Sequence, residues 1–300
     1  MWIISRPLGL LLNLIYGVVE NYGWSLILFT LAVKIILLPL SLKQQKSMTK
    51  MQLVQPRMTA LQEKYGNDKQ KLSTETMNLY KEYNISPMGG CLPMLIQLPV
   101  LFGLYYVIRE PLTYMFGFIN EKIWELQALY GAGDYATQIA IAKKAFVAQG
   151  EGAINFDFLG LDLAGIPSFA NNLWIIPVIA AVTTFLSSAI TNWMNGKDKK
   201  KDESQKPKRV LNPEAKQEPN TQNTMKTMTY FMPLMTGWIA FSFPAALGLY
   251  WAISNVFSIV QTIVLNGYYS KKIKREFVAL EEQKAIEREE KMKRRKRGNS

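Results

Sequence analysis

One lysine stands in the middle of an apolar run that is long enough to cross a membrane. Residues 24–42 contain no charged side chain except Lys34. At about 1.5 Å per residue, a helix of this length reaches about 28 Å, close to the thickness of the hydrocarbon core of a bilayer. An ammonium group at this depth costs roughly 2.5–3.5 kcal/mol on insertion scales. We therefore expect Lys34 to have a function.

Polar side chains also occur in the other apolar segments of the chain that are long enough to cross a membrane. Each of these side chains must find a partner or water. Thr30 lies four residues before Lys34 and shares its helix face. No Asp or Glu falls within any of these runs, so the chain offers Lys34 no counter-ion inside the membrane. This excludes a buried ion pair and disfavours a transporter that depends on an intramembrane carboxylate. Other polar residues in these runs include Gln97, Thr183, Thr184, Ser187, Ser188, Thr229, Thr236, Trp238, Tyr250, Ser254, Asn255, Ser258 and Gln261.

Two interpretations of Lys34 follow from these observations. In the first, the lysine lies in a hydrated cavity lined by hydroxyl and amide groups, which attracts an anionic group from another molecule. In the second, its side chain snorkels to the membrane surface and has no partner. A lysine stem spans only about 6 Å, whereas either face lies roughly 12–15 Å away by the helical rise, which favours the first interpretation.

The composition argues against enzymatic chemistry. The chain has no histidine and a single cysteine, Cys91. Serine–histidine triads, histidine zinc sites and histidine haem ligation are therefore excluded, as are disulfides within the chain. No Gly-x4-Gly-Lys-Ser/Thr nucleotide-binding loop is present. We predict that the protein is not an enzyme and has no cofactor, no metal and no small-molecule substrate.

The hydropathy pattern predicts an all-α integral membrane protein with five transmembrane helices. The predicted spans are 24–42, 92–109, 173–193, 227–243 and 245–265. Most basic residues fall in segments that five crossings place on one side of the membrane. The positive-inside rule makes that side cytoplasmic, with the N-terminus outside and the C-terminus inside.

The segments between the spans differ in composition. We predict that residues 1–23 form an interfacial amphipathic helix, because the apolar stretch from Leu8 to Val19 is too short to span a bilayer. An uncleaved signal-like segment is the alternative. Apolar residues at helical spacing predict a cytoplasmic helical hairpin over 43–91. Residues 110–172 form a predicted extracytoplasmic loop, and 194–226 a disordered cytoplasmic linker. Residues 266–300 form a predicted basic cytoplasmic tail, in which alternating Glu and Lys predict a charged helix from Lys271.

Three motifs stand out in the chain. The first is Phe29-Thr30-x3-Lys34-x4-Pro39. The second is Pro87-Met-Gly-Gly-Cys91-Leu-Pro-Met-Leu-Ile-Gln97-Leu-Pro99. The third is Phe243-Pro-Ala-Ala-Leu-Gly-Leu-Tyr250-Trp251 followed by Ser254-Asn255. In order, spacing and five-span layout, about residues 1–270 resemble the YidC/Oxa/Alb family of membrane protein insertases, particularly its short bacterial form with five spans.

The resemblance implies a bundle with a hydrophilic groove that is closed outside and open to the cytoplasm and the lipid. It places Lys34 in that groove, with Thr30, Gln97, Tyr250 and Trp251 as groove or substrate-contact residues. Nascent membrane proteins and the lipid bilayer would be its partners in the bacterial plasma membrane. The hairpin would capture substrates, and the basic tail would contact ribosomal RNA or the signal recognition system. The Sec translocon is a further candidate partner.

One residue departs from the family pattern, which usually has arginine where this chain has Lys34. Because lysine loses its proton when desolvated and arginine does not, a lysine requires a hydrated groove. Two other functions remain open at this stage. A channel or lipid scramblase could use the same polar groove, and the basic tail alone would suit a ribosome-tethering anchor.

Overall fold

The computed structural model describes residues 2–85, 92–131, 137–196 and 221–298. Cys91 and residues 197–220 of the predicted linker lie outside these ranges. The described residues are mainly helical, with one short β-hairpin. The helices are α1 (Trp2–Val19), α2 (Tyr22–Ile36), α3 (Leu38–Tyr65), α4 (Lys69–Glu82), α5 (Leu92–Arg109), α6 (Asn120–Leu129), α7 (Gln138–Val147), α8 (Ile175–Gly196), α9 (Thr221–Ala240) and α10 (Ala245–Gly298), and the strands are β1 (Asp157–Phe158) and β2 (Leu161–Asp162).

The ends of the apolar helices differ from those of the predicted spans at several points. α8 reaches Gly196 and α9 begins at Thr221, so residues 194–196 and 221–226 are helical and the prediction of a disordered linker is wrong there. α9 ends at Ala240, short of the predicted residue 243. Pro244 has no N–H group to donate to the carbonyl of Ala240, four residues earlier, so it cannot continue the helix. α10 runs unbroken past the predicted end of the last span at 265. The tail is therefore a continuation of the last apolar helix.

The first predicted span is divided. α2 ends at Ile36 and α3 begins at Leu38, so residues 24–42 do not form one straight helix. Pro39 explains the break, because it lacks an N–H group and its ring clashes with the carbonyl of Ile35. By length and apolar composition, three helices among the described residues could cross a membrane, or four if α2 and α3 count as one bent span. The count of five crossings stays a prediction.

The N-terminal helix is longer than the apolar stretch that predicted it. α1 has 18 residues, and by length and composition it is one of the helices that could cross a membrane. Its inner face packs closely on a π-helical turn at Leu112–Phe116. The Arg6 guanidinium donates to the carbonyls of Thr113, Tyr114 and Met115 at 3.2, 2.9 and 3.3 Å. This contact fixes α1 to the beginning of the chain segment that follows α5. Its interfacial position stays a prediction.

Residues 110–172, for which the sequence analysis predicted only a loop, contain folded structure. They include the π-helical turn, α6, α7, the antiparallel pair β1–β2 and a 3-10 turn at Asn172–Trp174. This segment supplies acceptors to the first N–H groups of α10, because Ala245 and Ala246 donate to the carbonyls of Gly165 and Leu163. The N–H of Tyr22, at the start of α2, donates to Asn155 at 3.0 Å. Two helix starts are therefore fixed by one folded segment.

The chain divides into two compact units. The first takes in the described residues of 1–38, 94–193 and 219–260. One apolar core runs through it and joins α1, α2, α5, α10 and the folded segment between α5 and α8. Large side chains that are fully buried mark its centre. They are Leu12, Tyr22, Leu26, Phe29, Leu104, Ile108, Leu112, Met115, Leu126, Ile141, Ile154 and Tyr250.

The second unit takes in the described residues of 39–93, 194–218 and 261–300. α3 and α4 form the helical hairpin, with a turn at residues 66–68. The Asp68 side chain caps the start of α4 by accepting a hydrogen bond from the Lys71 N–H. The C-terminal part of α10 packs on this hairpin through Tyr83, whose ring stacks on Phe277 at 5.1 Å between centroids.

Charged groups complete the contact between the hairpin and α10. Arg57 and Glu281 form an ion pair at 2.6 Å, and Lys284 lies 4.1 Å from the centre of the Tyr83 ring. Burial raises the pKa of the Tyr83 phenol above its ordinary value, so the hydroxyl stays protonated and donates to Glu281 at 3.3 Å. The tail up to Lys284 is thus part of a folded unit.

Two glycines of α1 test how closely this helix packs. A methyl group on Gly9 would lie 2.1 Å from the carbonyl oxygen of Tyr114, whereas one on Gly17 would meet nothing within 4 Å. We expect Gly9→Ala to destabilise the protein by about 1–3 kcal/mol through this clash with backbone. Gly17→Ala should stabilise it by up to about 1 kcal/mol, because alanine favours helix. Thermal unfolding of both variants in detergent measures the difference, and equal midpoints would contradict the packing.

Candidate functional site

Lys34 lies two residues before the end of α2, half-buried, and its side chain reaches α10. Its ammonium nitrogen donates to the hydroxyl oxygen of Ser258 at 3.2 Å. The Ser258 hydroxyl in turn donates to the backbone carbonyl of Ser254 at 2.8 Å, one turn earlier in the same helix. The residue expected to carry function therefore contacts a neutral hydroxyl group rather than an acid. Among the described residues, Ser258 is the hydrogen-bond partner that the structure gives to Lys34.

A second polar contact joins α5 to α10. The side-chain amide of Gln97 donates to the Tyr250 hydroxyl at 2.6 Å. The Tyr250 ring belongs to the apolar core of the first unit, and the residue is 1% exposed. Since apolar surroundings leave few other partners, this bond fixes the amide of Gln97 and the phenol of Tyr250 against each other. Two of the five site residues predicted from the sequence are thus in direct contact.

The remaining two predicted site residues do not bond to the others. The Thr30 hydroxyl donates to the Leu26 carbonyl of its own helix at 2.6 Å, and Thr30 is 1% exposed. Trp251 is half-buried and packs against the core of the first unit. The hydroxyl of Thr30 is therefore bonded within its own helix, one turn before Lys34. The role of Thr30 and Trp251 in binding a substrate stays a prediction.

A third polar contact joins α8 to α10 through a residue outside the predicted site. The Asn255 amide nitrogen donates to the Thr184 hydroxyl at 2.8 Å and lies 3.4 Å from that of Thr183. Thr184 donates onward to the Ala180 carbonyl at 2.7 Å. Asn255 thus holds α8 by a neutral hydrogen bond.

α10 is the helix that these three contacts share. Tyr250 contacts α5, Asn255 contacts α8 and Ser258 contacts α2. Because Tyr250, Ser254 and Ser258 are spaced by four residues, they follow one face of α10, and Asn255 lies beside that face. The sequence analysis named Ser258 as a polar residue but did not place it in the site. Its spacing of eight residues from Tyr250, which is two steps of four along one helix face, was the signal that could have selected it.

The arrangement has no evident metal-binding chemistry. In the part of the chain that the structure describes, no three acidic or cysteine side chains come together to hold a metal ion. The site offers one ammonium group, one phenol and several neutral hydroxyl and amide groups. Such a set can bind and orient a polar or anionic segment, and it contains no evident nucleophile paired with a base.

Comparison with known proteins decides the family. The model of the 60Kd inner membrane protein family matches residues 14–272. The chain belongs to this family. A relative from Clostridium perfringens, named membrane protein insertase YidC, is 36% identical over 86% of this chain and 84% of its own length. A protein of the same name from Caldanaerobacter subterraneus is 34% identical, over 87% of this chain and 93% of its own. The resemblance inferred from the motifs is confirmed.

A solved structure supports the fold of this family member. A crystal structure described as an active YidC insertase with its first transmembrane domain resolved matches 86% of this chain and 45% of its own, with a TM-score of 0.52. The sequence identity is 23%, so the likeness bears on the fold, and it confirms the predicted helical membrane protein. The names of the relatives favour an insertase over the channel or scramblase considered from the sequence.

The contact between Gln97 and Tyr250 predicts a defined energetic coupling. Tyr250→Phe removes the hydroxyl and keeps the ring, so we expect a loss of about 0.5–1.5 kcal/mol of stability. Gln97→Leu should cost little once Tyr250→Phe is present, because the bond is already gone. A double-mutant cycle of thermal unfolding in detergent measures this coupling. Strictly additive effects would show that the two side chains do not depend on each other.

Proposed function

We propose that this chain is a membrane protein insertase and chaperone. It receives hydrophilic parts of nascent membrane proteins beside Lys34 and releases their apolar helices into the lipid bilayer. The observation that carries the proposal is the contact of Lys34 with a neutral serine in a chain that has no acidic residue in its predicted spans. Such an ammonium group is available to an anionic or polar segment that another molecule brings.

The other predicted site residues take supporting roles in this proposal. Gln97 and Tyr250 supply amide and hydroxyl groups to the groove, and Trp251 supplies an aromatic surface to the substrate helix. Thr30 shares the face of Lys34 and keeps the groove polar one turn away. Family membership supports these assignments, since the relatives carry the insertase name.

The proposed mechanism needs no nucleotide hydrolysis. An apolar substrate helix gains roughly 25 cal/mol for each Å2 of surface that it transfers from water to lipid, which is ample to drive insertion. The barrier comes from the hydrophilic segment that must cross with the helix. An ammonium group and several hydrogen-bonding groups inside the membrane lower that barrier, because they replace part of the water that the segment loses.

We propose that the N-terminus lies outside and the C-terminus lies in the cytoplasm. The charge distribution supports this orientation, because residues 110–172 carry three basic and seven acidic side chains, whereas residues 270–300 carry twelve basic and six acidic ones. The hairpin α3–α4 then projects into the cytoplasm, where it can meet substrates as they are synthesised. The ribosome, the signal recognition system and the Sec translocon are the proposed partners on that side.

Substitution of Lys34 tests the function directly. We expect Lys34→Arg to preserve insertion, because the positive charge remains. Lys34→Glu should reduce insertion of a single-span substrate with an acidic extracytoplasmic tail by about tenfold, since like charges then face each other. Insertion is measured by protease protection in a strain depleted of its own insertase. Normal insertion by Lys34→Glu would refute the role of the charge.

The basic end of α10 tests the proposed ribosome contact. A chain that stops after Glu290 loses six basic residues between 291 and 297 but keeps Phe277, Glu281 and Lys284, which hold α10 on the hairpin. We expect its co-sedimentation with ribosomes to fall severalfold and to lose most of its dependence on salt, because that dependence follows the number of phosphate contacts. Unchanged binding would place the ribosome contact elsewhere.

A further inference from the structure

The hydrogen bonds of Ser258 make its hydroxyl oxygen an acceptor for Lys34. A serine hydroxyl has one hydrogen to donate and two lone pairs. The hydrogen of Ser258 is directed at the Ser254 carbonyl at 2.8 Å, so the oxygen faces Lys34 as an acceptor. The distance of 3.2 Å to the Lys34 nitrogen agrees with this assignment. The backbone of α10 therefore orients the hydroxyl to hold an ammonium group.

This contact leaves most of the capacity of Lys34 unused. An ammonium group has three N–H donors, and the described residues supply an acceptor to one of them. A neutral hydroxyl is also a weaker partner for a cation than a carboxylate, because a pair with charge on both sides forms shorter and stronger bonds. A carboxylate that enters the groove can thus take the ammonium group from Ser258, and the hydroxyl stays satisfied by Ser254.

We propose that Ser258 is a positioning residue that holds the Lys34 ammonium group on α10 until an acidic side chain of the substrate replaces it. This inference rests on the proposed insertase function and adds a specificity determinant to it. Position 258 must carry a neutral acceptor, because a fixed acid there would compete with the acid of every substrate. The absence of Asp and Glu from the predicted spans agrees with this requirement.

Ser258→Asp tests the inference, because it builds the competing acid into the chain. We expect this variant to insert a single-span substrate with an acidic tail about tenfold less well than the original protein, from the coupling that close charge pairs show. A substrate whose tail has the acids replaced by Asn and Gln should change by less than about twofold, since it does not require the ammonium group. The ratio between the two substrates is the measured quantity.

Two control variants separate charge from size and position. Ser258→Asn has nearly the volume of Ser258→Asp without its charge, and we expect it to leave the ratio between the two substrates unchanged. Asn255→Asp places an acid on the same helix at the residue that contacts Thr184, and it too should leave the ratio unchanged. Thermal unfolding in detergent verifies that each variant is folded. A selective loss in either control would overturn the assignment of Ser258.

The outcome of this experiment is distinguishable from failure of the proposed function. If Lys34→Glu reduces insertion of the acidic substrate and Ser258→Asp leaves it unchanged, the groove lysine acts without Ser258 and the inference is wrong. If both variants insert normally, the role of the Lys34 charge in insertion is wrong as well. A selective loss in Ser258→Asp, with both controls normal, establishes that position 258 faces Lys34 and must stay neutral for acidic substrates to be inserted.

Discussion

The cost of placing an ammonium group among apolar helices is the constraint on which the site depends. Lys34 lies in a segment without any other charge, and its contact in the first unit is a hydroxyl on α10. A single neutral hydrogen bond compensates only part of the lost hydration of a cation. The rest must come from water or from a polar group of another molecule. The proposed groove, open to both, would meet this requirement.

The contacts of α10 explain how such a groove can be held in place. This helix bonds α5 through Tyr250, α8 through Asn255 and α2 through Ser258. Its first N–H groups are fixed by the folded segment that follows α5, which also fixes the start of α2. The two helices that carry Lys34 and Ser258 therefore begin at one folded segment.

Some of this arrangement follows from the sequence and some does not. The apolar runs, the single lysine in the first of them and the missing acids are local features of the sequence, and they predicted the spans and the polar residues inside them. The folded segment 110–172 was not predicted because its strands have two residues each and its helices α6 and α7 have ten, too short for a clear periodic pattern. The tail was predicted as a charged helix from Lys271, but its continuity with the last span was missed, since the C-terminal part of α10 is held by contacts with Arg57 and Tyr83, more than 190 residues away in the chain.

The lysine at position 34 fits its hydrogen-bond partner, the hydroxyl of Ser258. Arginine presents five donors in a planar fork and binds a carboxylate through two of them, so it suits a site rich in acceptors. Lysine is a compact charge that a single acceptor can orient, and Ser258 is such an acceptor. Exchange of one oxygen for another at an ammonium group requires no fixed geometry, because its donors rotate freely. A lysine held by a neutral serine can therefore accept and release successive substrate groups, which is what a transient contact during insertion demands.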